Sequence, residues 1–377
     1  MKNIQMVDLY NQYLKIKDDI DGGIASVIES SSFVKGGKVI DFQKNLEQYL
    51  GVKHVIPVAN GTDALQISLM ALGLKAGDEV ITPTFTFIAT AEVVALLGLT
   101  PVLVDVDTDT FCIDLKAVEK AITPKTKAIV PVHLFGQNAN MEGLMAIAKK
   151  HNLFVVEDAC QSMGSKYIFS DGQMCHSGTI GDIGCTSFFP SKNLGCYGDG
   201  GAIFTNNSEI AERITTIANH GMRVRYHHDI IGVNSRLDSI QAAVLDAKLP
   251  HLDSYVEARR KAAEFYNKSF ACMPKVITPK TASYTTHSYH QYTLRLVGID
   301  RQILIDEMAK KGIPVMIYYP IPLHLQKAYR DERYRQGDFP IAEQLANTVC
   351  SLPMHTELDD EQLNYITTNF LNIISYL

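Results

Sequence analysis

The chain has 377 residues, 46% of them hydrophobic and 20% charged, which suits a globular protein of two domains rather than one. Its net charge of −6, with Lys and Arg scattered along the chain, provides no basic field for nucleic acid or an anionic membrane surface. Seven cysteines without a CxxC pair fit reduced thiols better than a disulfide framework or a zinc site, and no metal is expected.

The first residues lack an apolar segment of signal-peptide type, and no apolar run approaches the ~20 residues of a spanning helix, so the cytoplasm is the expected compartment. Leu9, Tyr13, Ile16 and Ile20, then Ile24, Val27 and Ile28, recur at helical spacing. Residues 31–37 read as a turn, and Phe42, Leu46 and Leu50 mark a second helix.

Residues 52–58 read as a short strand, followed by the small polar turn Asn60-Gly61-Thr62 and a helix carrying Leu65, Ile67, Leu69 and Leu72. A helix start of this kind presents free amides and the positive end of the helix dipole to an anion. Thr62 or Asp63 as the N-cap is compatible with that use. Residues 79–83 form another strand, leading to Phe85 and Phe87, of which one could stack on an aromatic ring. Strands follow at 101–107, 128–134 and 153–159, the last ending in Glu157-Asp158. Such alternation of strands and helices over 52–210 predicts an α/β layer with a mostly parallel sheet, whose ligands sit at the carboxyl ends of the strands.

The stretch Ser187-Phe188-Phe189-Pro190-Ser191-Lys192-Asn193-Leu194, running into Gly198-Asp199-Gly200-Gly201, places one lysine among apolar and small residues. A lysine desolvated in such a pocket loses pKa and becomes a nucleophilic amine. On its own, Lys192 also fits a surface lysine on a glycine-rich turn. After residue 205, Ile210, Ile214 and Ile217 mark a helix. His227-His228 lacks further ligands at metal-binding spacing. A long helix over 238–269 is expected to connect to a smaller C-terminal domain. That domain should contain a strand at 291–297, a helix at 301–311, a strand at 315–319 and two closing helices. The expected domains are 1–250 and 251–377.

A lysine amine, a buried aspartate (Asp158), a phosphate cradle at Gly61 and Thr62 and a stacking aromatic are together the requirements of pyridoxal 5′-phosphate. The blocks Asn60-Gly61-Thr62-Asp63-Ala64-Leu65, Glu157-Asp158-Ala159-Cys160-Gln161-Ser162, 187–194, Gly198-Asp199-Gly200-Gly201 and Gly232-Val233-Asn234-Ser235-Arg236-Leu237-Asp238 resemble, in order, the signatures of the DegT/DnrJ-type nucleotide-sugar aminotransferases. The resemblance implies the fold type I architecture of pyridoxal-phosphate enzymes. This is a large, mostly parallel seven-stranded sheet domain with a smaller C-terminal α/β domain. It also implies a homodimer with a shared active site.

Carried over motif by motif, Lys192 resembles the Schiff-base lysine and proton shuttle, and Asp158 the partner of the pyridine nitrogen. Gln161 would lie near the ring, and Phe87 would stack on it. Gly61, Thr62 and Ser187 would hold the phosphate, which Asn234 would reach from the other subunit. Arg236 would lie close to the sugar, and Tyr318, Tyr319 and His324 fall in a substrate-lining segment. The implied reaction moves an amino group from glutamate, through the pyridoxamine 5′-phosphate form, to a nucleotide-linked keto-sugar.

Long stretches are similar to enzymes that aminate C3 of UDP-2-acetamido-2-deoxy-3-oxo-glucuronate for lipopolysaccharide O-antigen synthesis. One departure is Tyr318-Tyr319-Pro320, where relatives commonly show His-Tyr-Pro. Tyrosine keeps a hydrogen bond but cannot become a cation near neutral pH. A dTDP-3-oxo-6-deoxyhexose is the alternative substrate. Arg236 could pair with a uronate carboxylate or contact the pyrophosphate. A regulatory protein that binds the cofactor without turnover is a further alternative.

Overall fold

The computed structural model describes residues 3–329 and 331–377. Its central sheet contains β1 (His54–Val58), β2 (Glu79–Pro83), β3 (Thr100–Val104), β4 (Thr126–Ile129), β5 (Phe154–Asp158), β6 (Ile183–Ser187) and β7 (Gly201–Thr205). The order across the sheet is β1-β7-β6-β5-β4-β2-β3. β7 runs antiparallel to both β1 and β6, and the remaining pairs are parallel. The seven-stranded, mostly parallel sheet expected from the resemblance is therefore present.

The strand sequences explain why this sheet is covered on both faces. Successive side chains of a strand point to opposite sides. Val80, Ala128 and Val156 enter one core with Leu65, Ile67, Val93 and Ile214, from helices Gly61–Ala71, Ala89–Leu96 and Ser208–Ala218. Their neighbours Ile81, Ile129 and Val155 enter another core with Val118, Met141, Leu144 and Ala148. Near-continuous apolar strands are what a doubly covered parallel sheet requires.

A second, antiparallel sheet pairs β8 (Val276–Ile277) with β9 (Tyr292–Leu296) and β9 with β10 (Val349–Leu352). Helices Leu252–Phe270, Arg301–Lys310 and Asp360–Tyr376 pack on it through Tyr266, Phe270, Leu304, Ile366 and Phe370. The last helix opens with a reciprocal capping box between Asp359 and Gln362. Ile4, near the start of the chain, joins this core.

Three expectations about elements are corrected. The helix expected over 238–269 is interrupted: Ser239–Lys248 gives way to a short turn at Leu249–His251, and the helix resumes at Leu252–Phe270. Pro250 sits in that turn and has no N–H to donate. The strand expected at 315–319 reduces to one bridge between Met316 and Ser351, which leaves Tyr318 and Tyr319 outside any ladder. β10 lies between the two closing helices, where no strand was expected. Among the described residues no helix is long and apolar enough to cross a membrane.

Candidate active site

A cavity of about 470 Å³ opens at the carboxyl edge of the large sheet. Its walls come from the ends of separate strands: Gly61 and Thr62 after β1, Phe87 after β2, Asp158 and Gln161 at the end of β5, and Ser187 and Lys192 at the end of β6. β7 runs in the opposite sense, so Asp199, two residues before it, reaches the same edge. His290, Gln291, Tyr318 and Tyr319 close the cavity from the C-terminal half.

The helix start at Gly61 is built for an anion. Asn60 is its N-cap, with Oδ1 accepting from the Asp63 amide at 2.8 Å and its carbonyl accepting from the Ala64 amide at 3.1 Å. Neither Thr62 nor Asp63 caps the helix, and the amides of Gly61 and Thr62 are left for a ligand. A Cβ on Gly61 would lie 2.7 Å from the Ser187 Cβ and 3.0 Å from the Cys160 Sγ, so the turn closes only around glycine.

Asp158 is 5% exposed at the end of β5. Thr90 Oγ1 donates to its Oδ2 at 2.7 Å, and the Cys160 amide donates to its Oδ1 at 3.2 Å. Burial pushes the Lys192 amine below the ordinary lysine range, opposed by Cys160 and by the Asp158 carboxylate. Gln161 is held at both ends of its amide: Oε1 accepts from the Phe135 N–H at 2.8 Å, and Nε2 donates to the Tyr319 hydroxyl at 3.0 Å.

The aromatic alternatives separate clearly. Phe85 is buried, with ring centroids 6.2 Å from Tyr319 and 6.4 Å from Phe111. Phe87 is 54% exposed and lines the cavity.

Nine of the sequence-predicted residues thus share one cavity: Gly61, Thr62, Phe87, Asp158, Gln161, Ser187, Lys192, Tyr318 and Tyr319. Three do not line it. Asn234 is exposed, and Arg236 is half-buried, close enough to add its charge to the burial that lowers the pKa of Lys35. His324 is 3% exposed and engaged elsewhere: Thr84 Oγ1 lies 2.9 Å from its Nδ1 and Glu343 Oε1 3.1 Å from its Nε2. It supports the wall rather than facing the cavity.

Sequence reasoning missed Thr90, the Asn60 cap and His290. Asn60 was recoverable, because asparagine ranks among the best N-caps. Nothing local marks Thr90, whose partner Asp158 comes from a distant element, or His290, which reaches the cavity from the C-terminal half.

The residues fit pyridoxal phosphate on the structure's own terms. The cavity holds buried polar atoms without protein partners, the Thr86 hydroxyl and His290 Nδ1, beside an uncapped helix start, a fixed carboxylate and a desolvated amine. Buried polar groups of this kind call for a polar ligand.

Comparison with known proteins agrees with this geometry. The sequence model of the DegT/DnrJ/EryC1/StrS aminotransferase family matches residues 14–371. A pleiotropic regulatory protein of Geobacillus stearothermophilus is 46% identical, covering 97% of this chain and 96% of that protein. The UDP-2-acetamido-2-deoxy-3-oxo-D-glucuronate aminotransferase of Pseudomonas aeruginosa is 45% identical over 98% of this chain and 100% of its own. The dTDP-3-amino-3,4,6-trideoxy-alpha-D-glucose transaminase of Streptomyces venezuelae is 39% identical over 95% and 93% of the two chains. The crystal structure of NtdA from Bacillus subtilis with bound cofactor PMP superposes with a TM-score of 0.90 at 31% identity, over 100% of this chain and 86% of that one.

Proposed function

The chain belongs to the DegT/DnrJ/EryC1/StrS aminotransferase family, and on that premise we propose that it aminates C3 of UDP-2-acetamido-2-deoxy-3-oxo-glucuronate, with glutamate as donor, for a surface polysaccharide. The broader activity is that of a pyridoxal-phosphate-dependent transaminase acting on a nucleotide-linked keto-sugar. The observation that carries the assignment of roles is the desolvated Lys192 amine in one cavity with the fixed Asp158 carboxylate.

When bound, the cofactor supplies an aldehyde that condenses with amines and a ring that withdraws electrons. The protein's residues do the rest. Asp158, fixed by the Thr90 hydroxyl and the Cys160 amide, would pair with the ring nitrogen. Lys192 Nζ, neutral at lower pH than an exposed lysine, would carry the proton between the carbons that exchange it. The Gly61 and Thr62 amides and Ser187 would hold the phosphate, Phe87 would stack on the ring, and Gln161 would lie near it.

Asn234 is exposed and absent from its own chain's cavity, which suits a role in the site of a partner copy in a homodimer. We take 1–250 and 251–377 as the two domains. The match to the Pseudomonas enzyme over 98% of this chain supports the uronate, with Arg236, which like Asn234 lies outside its own chain's cavity, as partner of its carboxylate in the site of the partner copy.

A second reading rests on Tyr318 and Tyr319, which line the cavity with neutral phenols packed on aromatic rings. Such a wall suits a dTDP-linked 3-oxo-6-deoxyhexose, which lacks a carboxylate. Mass spectrometry of products from UDP- and dTDP-linked keto-sugars with glutamate separates the two. Glutamate-dependent formation of the pyridoxamine form excludes a purely regulatory protein. An imine absorbance band present in the wild type and lost in Lys192→Ala tests the role of Lys192.

A further inference from the structure

Lys248 closes helix Ser239–Lys248 and is 1% exposed. Its ammonium donates to the Gly195 carbonyl at 2.8 Å and sits 4.5 Å from the centre of the Tyr197 ring. No acidic side chain takes part in lowering or restoring its charge. Burial brings its pKa down to about 8, opposed only by the Cys196 thiol. A buried cation held by one carbonyl and one ring face is an expensive way to fill space. A methionine of similar length would pack there without that cost.

The contacts of Lys248 fall on the loop that carries Lys192. The loop is a tight coil of two limbs. On the outgoing limb, the Lys192 amide donates to the Phe189 carbonyl at 2.8 Å. On the return limb, the Cys196 amide donates to the Phe188 carbonyl at 2.8 Å. The limbs touch so closely that a Cβ on Gly195 would lie 2.4 Å from the Pro190 carbonyl oxygen. Gln241, from the same helix as Lys248, accepts from the Tyr197 amide at 2.8 Å and donates to its carbonyl at 3.3 Å. Fixing the return limb therefore fixes the outgoing one.

We propose that Lys248 is a positioning residue: through the Gly195 carbonyl and the Tyr197 ring it holds the return limb of the loop and so sets the placement of the Lys192 amine. The inference rests on the reading of Lys192 as the imine-forming lysine.

The test uses the holoenzyme with Lys248→Met, which keeps the stem and removes the donor, and Lys248→Arg, which keeps a cation and donors. Ile374→Val in the C-terminal core serves as a mild stability control. Two quantities are read: the pH midpoint of the bound cofactor's absorbance change, and kcat against KM for glutamate. In Lys248→Met the midpoint moves by about half a pH unit or more, and kcat falls about tenfold at nearly unchanged KM, the size expected of a misplaced reacting group. Lys248→Arg recovers most of both, and Ile374→Val moves neither.

A folded Lys248→Met with wild-type midpoint and kcat overturns the proposal, as does an equal shift in the core control. If Lys248→Met does not fold, Tyr197→Leu removes the ring beneath the ammonium and should shift the midpoint in the same sense; an unchanged midpoint there also overturns it. A wild-type imine band that survives Lys192→Ala overturns the reading of Lys192 itself, a result distinct from any behaviour of the Lys248 variants.

Discussion

Thr90 donates its hydroxyl to Asp158 Oδ2 across 2.7 Å, joining the helix after β2 to the end of β5. Both side chains are at least 95% buried, so the bond is made in a low dielectric. Thr90→Val keeps the shape and removes the donor. A hydrogen bond to a charged group is worth about 1.5–3 kcal/mol, and each 1.4 kcal/mol is tenfold in rate. We expect kcat to fall by about 10- to 100-fold in Thr90→Val, with Thr90→Ser close to wild type. Steady-state kinetics at saturating cofactor checks this, and a wild-type kcat in the valine variant would exclude the role.

At Gly61 the expected effect is on cofactor affinity. The added Cβ of Gly61→Ala would overlap the Ser187 Cβ and crowd the Cys160 Sγ. The helix start must shift away from β6, which moves the Gly61 and Thr62 amides off the phosphate. Spectral titration with pyridoxal phosphate should show at least about tenfold weaker binding, the loss of one charge-assisted hydrogen bond.

Much of this site was legible in the sequence because each βα junction carries its chemistry locally. Asp158, Ser187 and Lys192 stand at the ends of apolar strands, and the parallel sheet brings those ends to one edge. Contacts between distant segments were not legible. Nothing near residue 90 shows that its hydroxyl meets residue 158, and nothing near residue 248 shows that its amine holds residue 195. The segment 315–319 misled because its short, continuous apolar run suits a strand, yet only Met316 finds a backbone partner. Tyr319 packs on Phe85 and Phe135 instead, and Tyr318 on Tyr319. Pro250 was in plain sight, but the helical periodicity on both sides masked the break.

Acid should unfold the protein through its buried histidines. Burial holds His287 down to about 3 and His355 down to about 4, and pushes His290 well below the ordinary value. Each stays neutral in the fold, while the unfolded chain takes a proton near pH 6.5. The unfolded state therefore binds more protons below pH 6.5, and stability falls as pH drops from there toward 4. Each such histidine contributes a slope of about 1.4 kcal/mol per pH unit in that window. Urea midpoints at pH 7 and pH 5 measure the drop. His287→Gln should reduce it by about one histidine's share, and an identical drop in that variant would show that His287 is not involved.

His324 and Tyr319 should respond in opposite ways, although they lie five residues apart in the same segment. His324 is buried with both nitrogens engaged: the Glu343 carboxylate can only accept, which puts the ring proton on Nε2 and leaves Nδ1 to accept from the Thr84 hydroxyl. Its backbone amide donates to the same Thr84 oxygen at 3.2 Å, and the Leu323 amide to the Thr84 carbonyl at 2.8 Å. Together these bonds pin the segment to the end of β2. His324→Leu leaves the buried Thr84 hydroxyl proton without an acceptor and removes one of the donors to Glu343, which keeps the Gly337 amide at 2.7 Å, at a cost of about 1–3 kcal/mol. It should lower the thermal midpoint while leaving KM for the sugar within about twofold, below the 1.4 kcal/mol that a tenfold change represents. Tyr319 lines the cavity and takes the Gln161 amide. Tyr319→Phe keeps the ring packing, so its thermal midpoint should stay near wild type while kcat/KM falls. Thermal unfolding beside steady-state kinetics on the two variants decides the matter, and a large rise in KM for a stably folded His324→Leu would return that histidine to the substrate site.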